Sequence, residues 1–253
     1  MKPAAPARGE PTGIARLEAR YTDGTYRETV PNWHLSDAPW KAAAVSRMIE
    51  RHGLRPRRVV DVGCGAGGIL RELRPRMPAD VELEGYDISP DAIALCREHG
   101  GERLRYVEGD FTAGDAARAD LALVLDVFEH VPDYLGFLSA LRSKADWFIF
   151  HVPIDLSMQG LRHDSAWPLA MRSRYGHLHY FTKQTAIATL ADLGYEIVDC
   201  FYTDDQKTWN PKELSLKARL LFEVRRGLSR RNPDLAALLF EGFSALILAR
   251  TGA

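Results

Sequence analysis

The sequence has little cysteine, no long apolar run and almost no net charge. Its 253 residues include only three cysteines, Cys64, Cys96 and Cys200, which are widely separated and show no Cys-x-x-Cys spacing. This pattern excludes a disulfide framework and a cysteine-rich zinc site, and it predicts a cytoplasmic protein. No apolar run approaches the roughly 18 residues that a membrane span requires, and the N-terminus lacks the apolar core of a signal peptide. The net charge of -1 gives the chain as a whole no basic character for binding nucleic acid.

The most informative stretch that is present is residues 58–70, with the sequence RVVDVGCGAGGIL. Its β-branched apolar start predicts a buried parallel strand, and the apolar residues after the glycines predict a helix. Gly63, Gly65 and Gly67 allow positive φ and let a ligand approach the backbone without a Cβ in the way. Such a turn brings the ligand to a helix N-terminus and to the carboxyl ends of the strands, where open α/β sheets bind cofactors.

Two classes of cofactor fit this turn. Gly63, Gly65 and Gly68 match G-x-G-x-x-G, which on its own is a weak indication of a dinucleotide. Asp61, two residues before the first glycine, suits a cationic amino group and would repel a pyrophosphate. Asp87 ends the second predicted strand, where a carboxylate can accept hydrogen bonds from both ribose hydroxyls in either class.

The string DVGCGAG at residues 61–67 resembles motif I of class I S-adenosylmethionine-dependent methyltransferases. Residues 126–131 (DVFEHV) resemble the D-x-x-E-H-V stretch of the small-molecule members, such as those of ubiquinone and menaquinone biosynthesis. The resemblance implies S-adenosylmethionine as cofactor and S-adenosylhomocysteine as product. It also implies an α/β fold with a Rossmann-like seven-stranded sheet, mostly parallel with the last strand antiparallel, and helices on both faces. Carried over residue by residue, it assigns the cofactor contacts to Asp61, Gly63, Cys64, Gly65, Gly67, Asp87, Ile88, Asp110, Phe111, Asp126 and Val127.

Three histidines are candidates for a base that takes the proton of an acceptor hydroxyl, because histidine titrates near neutral pH. His177 is the first choice, since residues 176–181 (GHLHYF) match a G-H-x-x-x-[FY] string of the resembling enzymes. His151 stands at the carboxyl end of an apolar strand, where a histidine of the protein core is the other interpretation. His130 follows the fourth predicted strand, where a structural role is the other interpretation.

Residues 155–181 are predicted to form a substrate wall without a regular element, and their aromatic residues argue against disorder. The resembling enzymes use the segment after strand five in this way. Its histidines, His163, His177 and His179, have no acidic partner at regular spacing, so no metal site is predicted.

Local patterns predict the remaining elements and divide the chain. A helix is predicted from Ser36 or Asp37 to His52, with Gly53 ending it. Strands are predicted at residues 81–87, 104–108, 120–127, 147–154, 195–203 and 243–250. The predicted segments are a disordered N-terminus (1–20), one methyltransferase domain (21–253), an edge loop or a lid (21–36), and a helical insertion (204–242). The resemblance favours the lid.

The resemblance and the neutral charge favour transfer of a methyl group to a small-molecule acceptor, through a hydroxyl oxygen. Residues 211–231, which are rich in Lys and Arg and predicted to be helical from Pro211, keep an RNA or protein methyltransferase open as an alternative. A homodimer formed through this segment and a non-catalytic cofactor-binding partner protein also stay open. No nucleic acid partner and no transmembrane segment are expected.

Overall fold

Seven strands form a single sheet. The computed structural model describes residues 13–162, 166–204 and 215–252. The strands are β1 (Arg58–Val62), β2 (Glu82–Asp87), β3 (Leu104–Glu108), β4 (Ala119–Leu125), β5 (Ala145–Pro153), β6 (Tyr195–Asp204) and β7 (Phe243–Thr251). Their order is β3-β2-β1-β4-β5-β7-β6. β1 pairs in parallel with β2 and β4, whereas β7 pairs antiparallel with both β5 and β6. The predicted sheet, mostly parallel with the last strand antiparallel, is confirmed.

Helices pack on both faces of this sheet. They are α1 (Ile14–Ala19), α2 (Thr25–Thr29), α3 (Ala38–Arg51), α4 (Gly68–Leu73), α5 (Pro90–Cys96), α6 (Tyr134–Leu141), α7 (Met158–Leu161), α8 (Ala166–Arg174), α9 (Lys183–Asp192), α10 (Leu216–Arg231) and α11 (Pro233–Leu239). Helices α3 and α4 belong to the apolar cluster on one face, and α6, α9 and α11 to the cluster on the other. No described helix has both the length and the apolar character that crossing a membrane requires.

The central strand β4 explains why the sequence shows an apolar run here instead of an alternation. Leu121 and Leu123 are buried in the cluster with α3 and α4, and Ala122 and Val124 are buried in the opposite cluster. A parallel strand covered on both faces needs apolar residues at successive positions.

Helix α3 leads into the sheet and confirms the helix predicted over these residues. Asp37 occupies the position before it, Pro39 stands in its first turn, and it ends at His52. Gly53 follows with φ of 61°, the left-handed conformation that favours glycine after a helix. The helix places Lys41 beside the carboxyl end of β4.

The predictions for the substrate wall and for the end of the N-terminal segment need correction. The predictions for residues 1–12 and for the helix start at Pro211 fall outside the described residues. The substrate wall 155–181 was predicted without a regular element, but it contains α7 and α8. The first of these helices, α7, is capped by Ser157, whose side chain accepts a hydrogen bond from Gly160 N–H. The predicted disordered terminus 1–20 is wrong for its last part, which forms α1, and residues 1–12 lie outside the described chain. The predicted helix start at Pro211 also lies outside it, and α10 is described from its cap residue Ser215.

Candidate active site

The carboxyl ends of β1, β2, β4 and β5 open into a cavity of about 920 Å³. Most of the predicted cofactor residues line it: Gly63, Cys64, Gly65, Asp87, Ile88, Asp110, Phe111, Asp126 and Val127. Of the predicted bases, His130, His151 and His177 line it as well. The other two predicted cofactor residues, Asp61 and Gly67, are not part of its wall.

The glycine turn follows β1, and two of its glycines combine a positive φ with a neighbouring side chain that leaves no room for a Cβ. Gly63 has φ of 73°, and a Cβ there would lie 2.7 Å from Cγ2 of Val127 on the cavity wall. Gly67 has φ of 74°, and a Cβ there would lie 2.6 Å from the ring of Tyr106. The packing of Tyr106 therefore accounts for Gly67 without any ligand contact.

Asp87 stands at the end of β2 with its carboxylate held by backbone amides. Gly65 N–H donates to Oδ2 and Ser89 N–H donates to Oδ1, each at 2.8 Å. Burial raises the pKa of Asp87, and the two amide hydrogen bonds partly oppose that shift. An ionised carboxylate has about four acceptor positions, so Asp87 keeps capacity for the two ribose hydroxyls expected from the sequence.

Asp110 and Phe111 follow β3, where the adenine contacts are predicted. Oδ1 of Asp110 accepts hydrogen bonds from Thr112 N–H and from the Thr112 hydroxyl, both at 2.7 Å. Oδ2 makes no hydrogen bond to a described residue. Phe111 is fully buried against Tyr86, with ring centroids 5.0 Å apart. Phe111 thus lines the cavity from within the apolar core.

Asp61 is buried in β1 with 2% exposure, and its Oδ2 has no hydrogen-bond partner among the described residues. Burial and then the charge of Asp87 raise its pKa to about 8, against a smaller lowering by Lys41. An orphaned carboxylate beside the glycine turn fits a ligand with a cationic group. This feature matches the ammonium group of the predicted cofactor, although Asp61 does not itself reach the cavity wall.

Asp126 is the centre of a polar chain that crosses the sheet. It follows β4 with φ of 55°. Its Oδ2 accepts from Lys41 Nζ at 2.6 Å, and its Oδ1 lies 2.6 Å from His151 Nδ1. Burial favours the protonated form of Asp126, but the charges of His151 and Lys41 outweigh it and hold its pKa well below the usual range.

The same polar chain of side chains engages both ring nitrogens of His151. Its Nε2 lies 2.7 Å from the Thr203 hydroxyl, so both ring nitrogens are hydrogen-bonded inside the protein. His151 therefore has no nitrogen available for a substrate in this arrangement. Sequence reasoning missed Lys41 and Thr203, because they stand 85 and 52 residues from their partners and only the fold brings them together.

His177 is arranged differently. Its Nδ1 lies 2.6 Å from Oδ2 of Asp155, and Trp167 Nε1–H donates to Oδ1 of the same carboxylate at 3.4 Å. Nε2 of His177 makes no hydrogen bond to a described residue, and the ring lines the cavity. Sequence reasoning missed Asp155, although its place directly after the β5 strand end was a usable signal. The acidic partner that regular spacing did not show is thus supplied by the fold.

Glu129 and His130 stand beside His177. Glu129 is completely buried, and neither of its carboxylate oxygens has a hydrogen-bond partner among the described residues. Its backbone carbonyl accepts from Leu178 N–H and His179 N–H, which ties this loop to the wall segment. The rings of His130 and His177 lie 4.9 Å apart. Burial, followed by the charge of His177, lowers the pKa of His130 to about 3.

The predicted lid segment lies along the cavity. Tyr21, Tyr26, Trp33 and His34 all line it. Cε3 of Trp33 lies 3.7 Å from the position a Cβ of Gly65 would take. On the other side, the ring of His34 lies 5.2 Å from that of Tyr175. The segment therefore contacts both the cofactor side and the histidine side, and its action as a lid stays a prediction.

Comparison with known proteins gives relatives that match over part of their length. The Ubiquinone biosynthesis O-methyltransferase of Actinobacillus pleuropneumoniae serotype 5b (strain L20) is 32% identical over 121 residues, which cover 43% of this chain and 50% of that relative. The Trans-aconitate 2-methyltransferase of Rhodococcus jostii (strain RHA1) is 31% identical over 150 residues, or 57% of each chain. The chain thus spans about half the length of the curated relatives it matches.

Solved structures share the fold across nearly the whole chain. A chain of the complex between the Haloferax volcanii Trm112 methyltransferase activator and a methyltransferase has a TM-score of 0.63 at 15% identity, covering 92% of this chain and 98% of that one. The magnesium protoporphyrin IX methyltransferase of Synechocystis PCC 6803 with bound S-adenosylmethionine has a TM-score of 0.56 at 14% identity, covering 93% and 95%. The family described as "Methyltransferase domain" matches residues 36–199, more than half of the chain. The chain therefore belongs to this methyltransferase family, which uses S-adenosylmethionine, and the family and cofactor predicted from the sequence are confirmed.

Proposed function

We propose that the chain transfers a methyl group from S-adenosylmethionine to a hydroxyl oxygen of a small-molecule acceptor. The observation that carries this proposal is His177, whose Nδ1 is fixed by Asp155 at 2.6 Å while the ring lines the cavity. A trans-aconitate methyltransferase and an O-methyltransferase of ubiquinone biosynthesis among the relatives support a small acceptor, and the second also supports transfer to oxygen.

The residues at the cofactor end fit S-adenosylmethionine. Asp87 keeps acceptor capacity for the ribose hydroxyls, Asp110 has a free carboxylate oxygen for the adenine amino group, and the orphaned carboxylate of Asp61 suits an ammonium group. When bound, the cofactor supplies a methyl group on a sulfonium, which an in-line nucleophile displaces with release of S-adenosylhomocysteine. The protein's main contribution is to hold donor and acceptor in line, and orientation alone can supply roughly 7–11 kcal/mol of the barrier.

In this proposal His177 activates the acceptor. Its Nε2 takes the hydroxyl proton as that oxygen forms its bond to the methyl carbon. Asp155 fixes the ring orientation and stabilises the imidazolium that forms, as a carboxylate does beside a catalytic histidine.

The cavity favours a small molecule over a macromolecule. Its volume of about 920 Å³ lies within the roughly 300–1,000 Å³ of small-molecule sites. Within the basic segment, Arg225 is buried against Asp204 and Arg226 pairs with Glu223, so these two arginines are already engaged within the chain. No observation on the described residues favours the macromolecular alternative.

The test combines cofactor binding with turnover on a panel of small hydroxyl compounds. Calorimetry with S-adenosylmethionine should show binding by the wild type and by His177→Gln, and loss of binding by Asp87→Ala. Turnover should fall by about 10²–10⁴-fold in His177→Gln, the range typical of a lost general base. The matched control is His52→Gln, because His52 also pairs with a carboxylate, Asp199 at 2.8 Å, but lies outside the cavity. Full turnover by His177→Gln, or methylation of amines only, would overturn the proposal.

A further inference from the structure

We propose that Glu129, His130 and His177 bind a divalent transition-metal ion at the histidine side of the cavity. A second part, that the ion receives the acceptor's hydroxyl oxygen, rests on the proposed function. The binding of the ion itself does not.

The geometry brings three donor atoms together. One oxygen of Glu129 and one nitrogen each of His130 and His177 all lie within 4.8 Å of one another. Ligand atoms bonded to one ion at about 2.1 Å stand roughly 3–4 Å apart, so a small contraction of the cluster completes the site. Two imidazoles with one carboxylate form a donor set typical of Zn²⁺ and related first-row ions, with positions left open for another ligand.

Glu129 gives the second, independent reason for an ion. The residue has 0% exposure, and both of its carboxylate oxygens lack a hydrogen-bond partner among the described residues. Among the described residues, the basic nitrogen nearest to its carboxylate is Nε2 of His130, at 3.9 Å from Oε1. A buried, unpaired carboxylate is costly unless it is paired or coordinates a metal. The cluster therefore has a place for one positive charge, between Glu129 and the two rings.

The two histidines also have features of metal ligands. Nδ1 of His130 is buried without a hydrogen-bond partner among the described residues. His177 is oriented from behind by Asp155 at 2.6 Å, and the carboxylate is in turn contacted by Trp167. A carboxylate bonded to the outer nitrogen is the usual support of a metal-binding histidine, because it fixes the ring and strengthens the inner nitrogen as a ligand.

The position of the ion connects it to the reaction. His130 and His177 both line the cavity, so an ion between them faces the space available to an acceptor. Bound there, the ion would polarise the acceptor's hydroxyl oxygen and ease the loss of its proton to solvent water. His177 would then be a ligand of the ion, and the proton transfer to its Nε2 proposed above applies to the chain without the ion.

The first experiment measures metal binding directly, with no acceptor present. The full chain is freed of metal with a chelator and titrated in a calorimeter with Zn²⁺, Mn²⁺ or Mg²⁺. We expect one equivalent of Zn²⁺ or Mn²⁺ to bind more tightly than Mg²⁺. Asp155→Asn should weaken that binding by about 10–100-fold, and Glu129→Gln and His177→Gln by at least as much. His52→Gln, the control outside the cavity, should bind as the wild type does.

A second experiment compares the melting temperatures of the wild type and Glu129→Gln, first without metal and then with it. Without metal, Glu129→Gln breaks no side-chain hydrogen bond to a described residue, so the variant should melt no lower than the wild type. With Zn²⁺ or Mn²⁺, the ion stabilises only the wild type, which should then melt above the variant. A chain that binds no ion, or whose Glu129→Gln variant binds as the wild type does, overturns the inference and leaves Glu129 neutralised by a proton. Intact metal binding without any methyl transfer to hydroxyl compounds would instead overturn only the proposed function.

Discussion

Asp61, which is buried, and Asp126, which is half-buried, show how neighbouring groups decide the charge of a carboxylate. In β1, Oδ2 of Asp61 has no hydrogen-bond partner among the described residues, and burial and the charge of Asp87 raise the pKa of Asp61 to about 8. For Asp126 burial acts in the same direction, but His151 and Lys41, each at 2.6 Å, hold its pKa well below the usual range. The cavity wall therefore holds one ionised carboxylate, Asp126, whereas the Asp61 carboxylate lies outside that wall with its pKa raised by burial.

This difference predicts how Asp61→Asn changes the pH dependence of stability. The folded pKa of about 8 exceeds the ordinary value of 3.8, so the folded chain holds a proton that the unfolded chain has lost. The stabilisation is fully present below about pH 4 and is lost as the pH rises through about 8. Above about pH 8, the ligand-free variant should be more stable than the wild type, by at most on the order of 5 kcal/mol.

Urea unfolding of both proteins at several pH values checks this expectation. Asp80→Asn, which removes an exposed carboxylate, is the control and should follow the wild-type curve. Parallel curves for Asp61→Asn and the wild type would show that Asp61 is ionised in both states.

At the scale of elements, the segment before α3 holds two residues in an uncommon backbone conformation. Trp33 and His34 have φ of 46° and 55°, in the left-handed region that non-glycine residues rarely adopt. Their rings contact opposite sides of the cavity, Trp33 above Gly65 and His34 beside Tyr175. The strained backbone is thus held in place by ring contacts on both sides of the cavity.

The ring of Trp33 should therefore contribute to cofactor binding. Trp33→Ala removes the ring above Gly65 and is expected to raise the dissociation constant of S-adenosylmethionine by about 10-fold, equivalent to about 1.4 kcal/mol. Calorimetry measures the constant, and Trp33→Phe, which keeps a ring there, should lie between the two. Equal constants for all three proteins would mean that this segment does not close on the cofactor.

Helix α10 is attached to the sheet by a buried ion pair. Arg225 Nη1 donates to both carboxylate oxygens of Asp204 at 2.8 Å, and Nη2 donates to the carbonyls of Glu241 and Gly242. The guanidinium also lies 4.1 Å from the ring centroid of Phe243. Among the arginines of the predicted basic segment, Arg225 therefore has a structural role.

Arg225→Met should destabilise the fold by about 3–5 kcal/mol, because it removes the cation from beside a buried carboxylate. Arg226→Met is the matched control: Arg226 is half exposed and pairs with Glu223, so its loss should change stability by less than about 1 kcal/mol. The free energy of unfolding in urea measures both. Similar losses in the two variants would contradict the assigned role of Arg225.

For the molecule as a whole, the sequence predicted the elements well and the side-chain pairs poorly. The strand predicted at residues 104–108 matches β3, and α3 was predicted at both ends, because period and capping are local properties. Helix α8 was missed, since Pro168 interrupts a stretch of weak periodicity. The pairs Asp155–His177 and Lys41–Asp126 follow from which strand ends meet, which local patterns do not encode.

The polar chain of side chains that runs from Lys41 through Asp126 and His151 to Thr203 joins α3, β4, β5 and β6. It should therefore stabilise the whole fold. Lys41→Met is expected to cost about 1–3 kcal/mol, because it removes a hydrogen-bonded cation from a half-buried carboxylate. In an Asp126→Asn background the same change should cost much less, since the charge that Lys41 compensates is gone. The control is Lys144→Met, because Lys144 is half-buried and bonded only to the Gly114 carbonyl among described partners.

The pair Lys41–Asp126 also determines how the stability of the fold changes with pH. A depressed pKa of Asp126 gives stability that is present above the ordinary value of 3.8 and is lost as the pH falls through the folded pKa. Lys41→Met relaxes that depression, so the variant should lose less stability than the wild type on acidification. Additive costs for Lys41→Met and Asp126→Asn in urea unfolding would show that the two side chains act independently, in spite of the 2.6 Å between them.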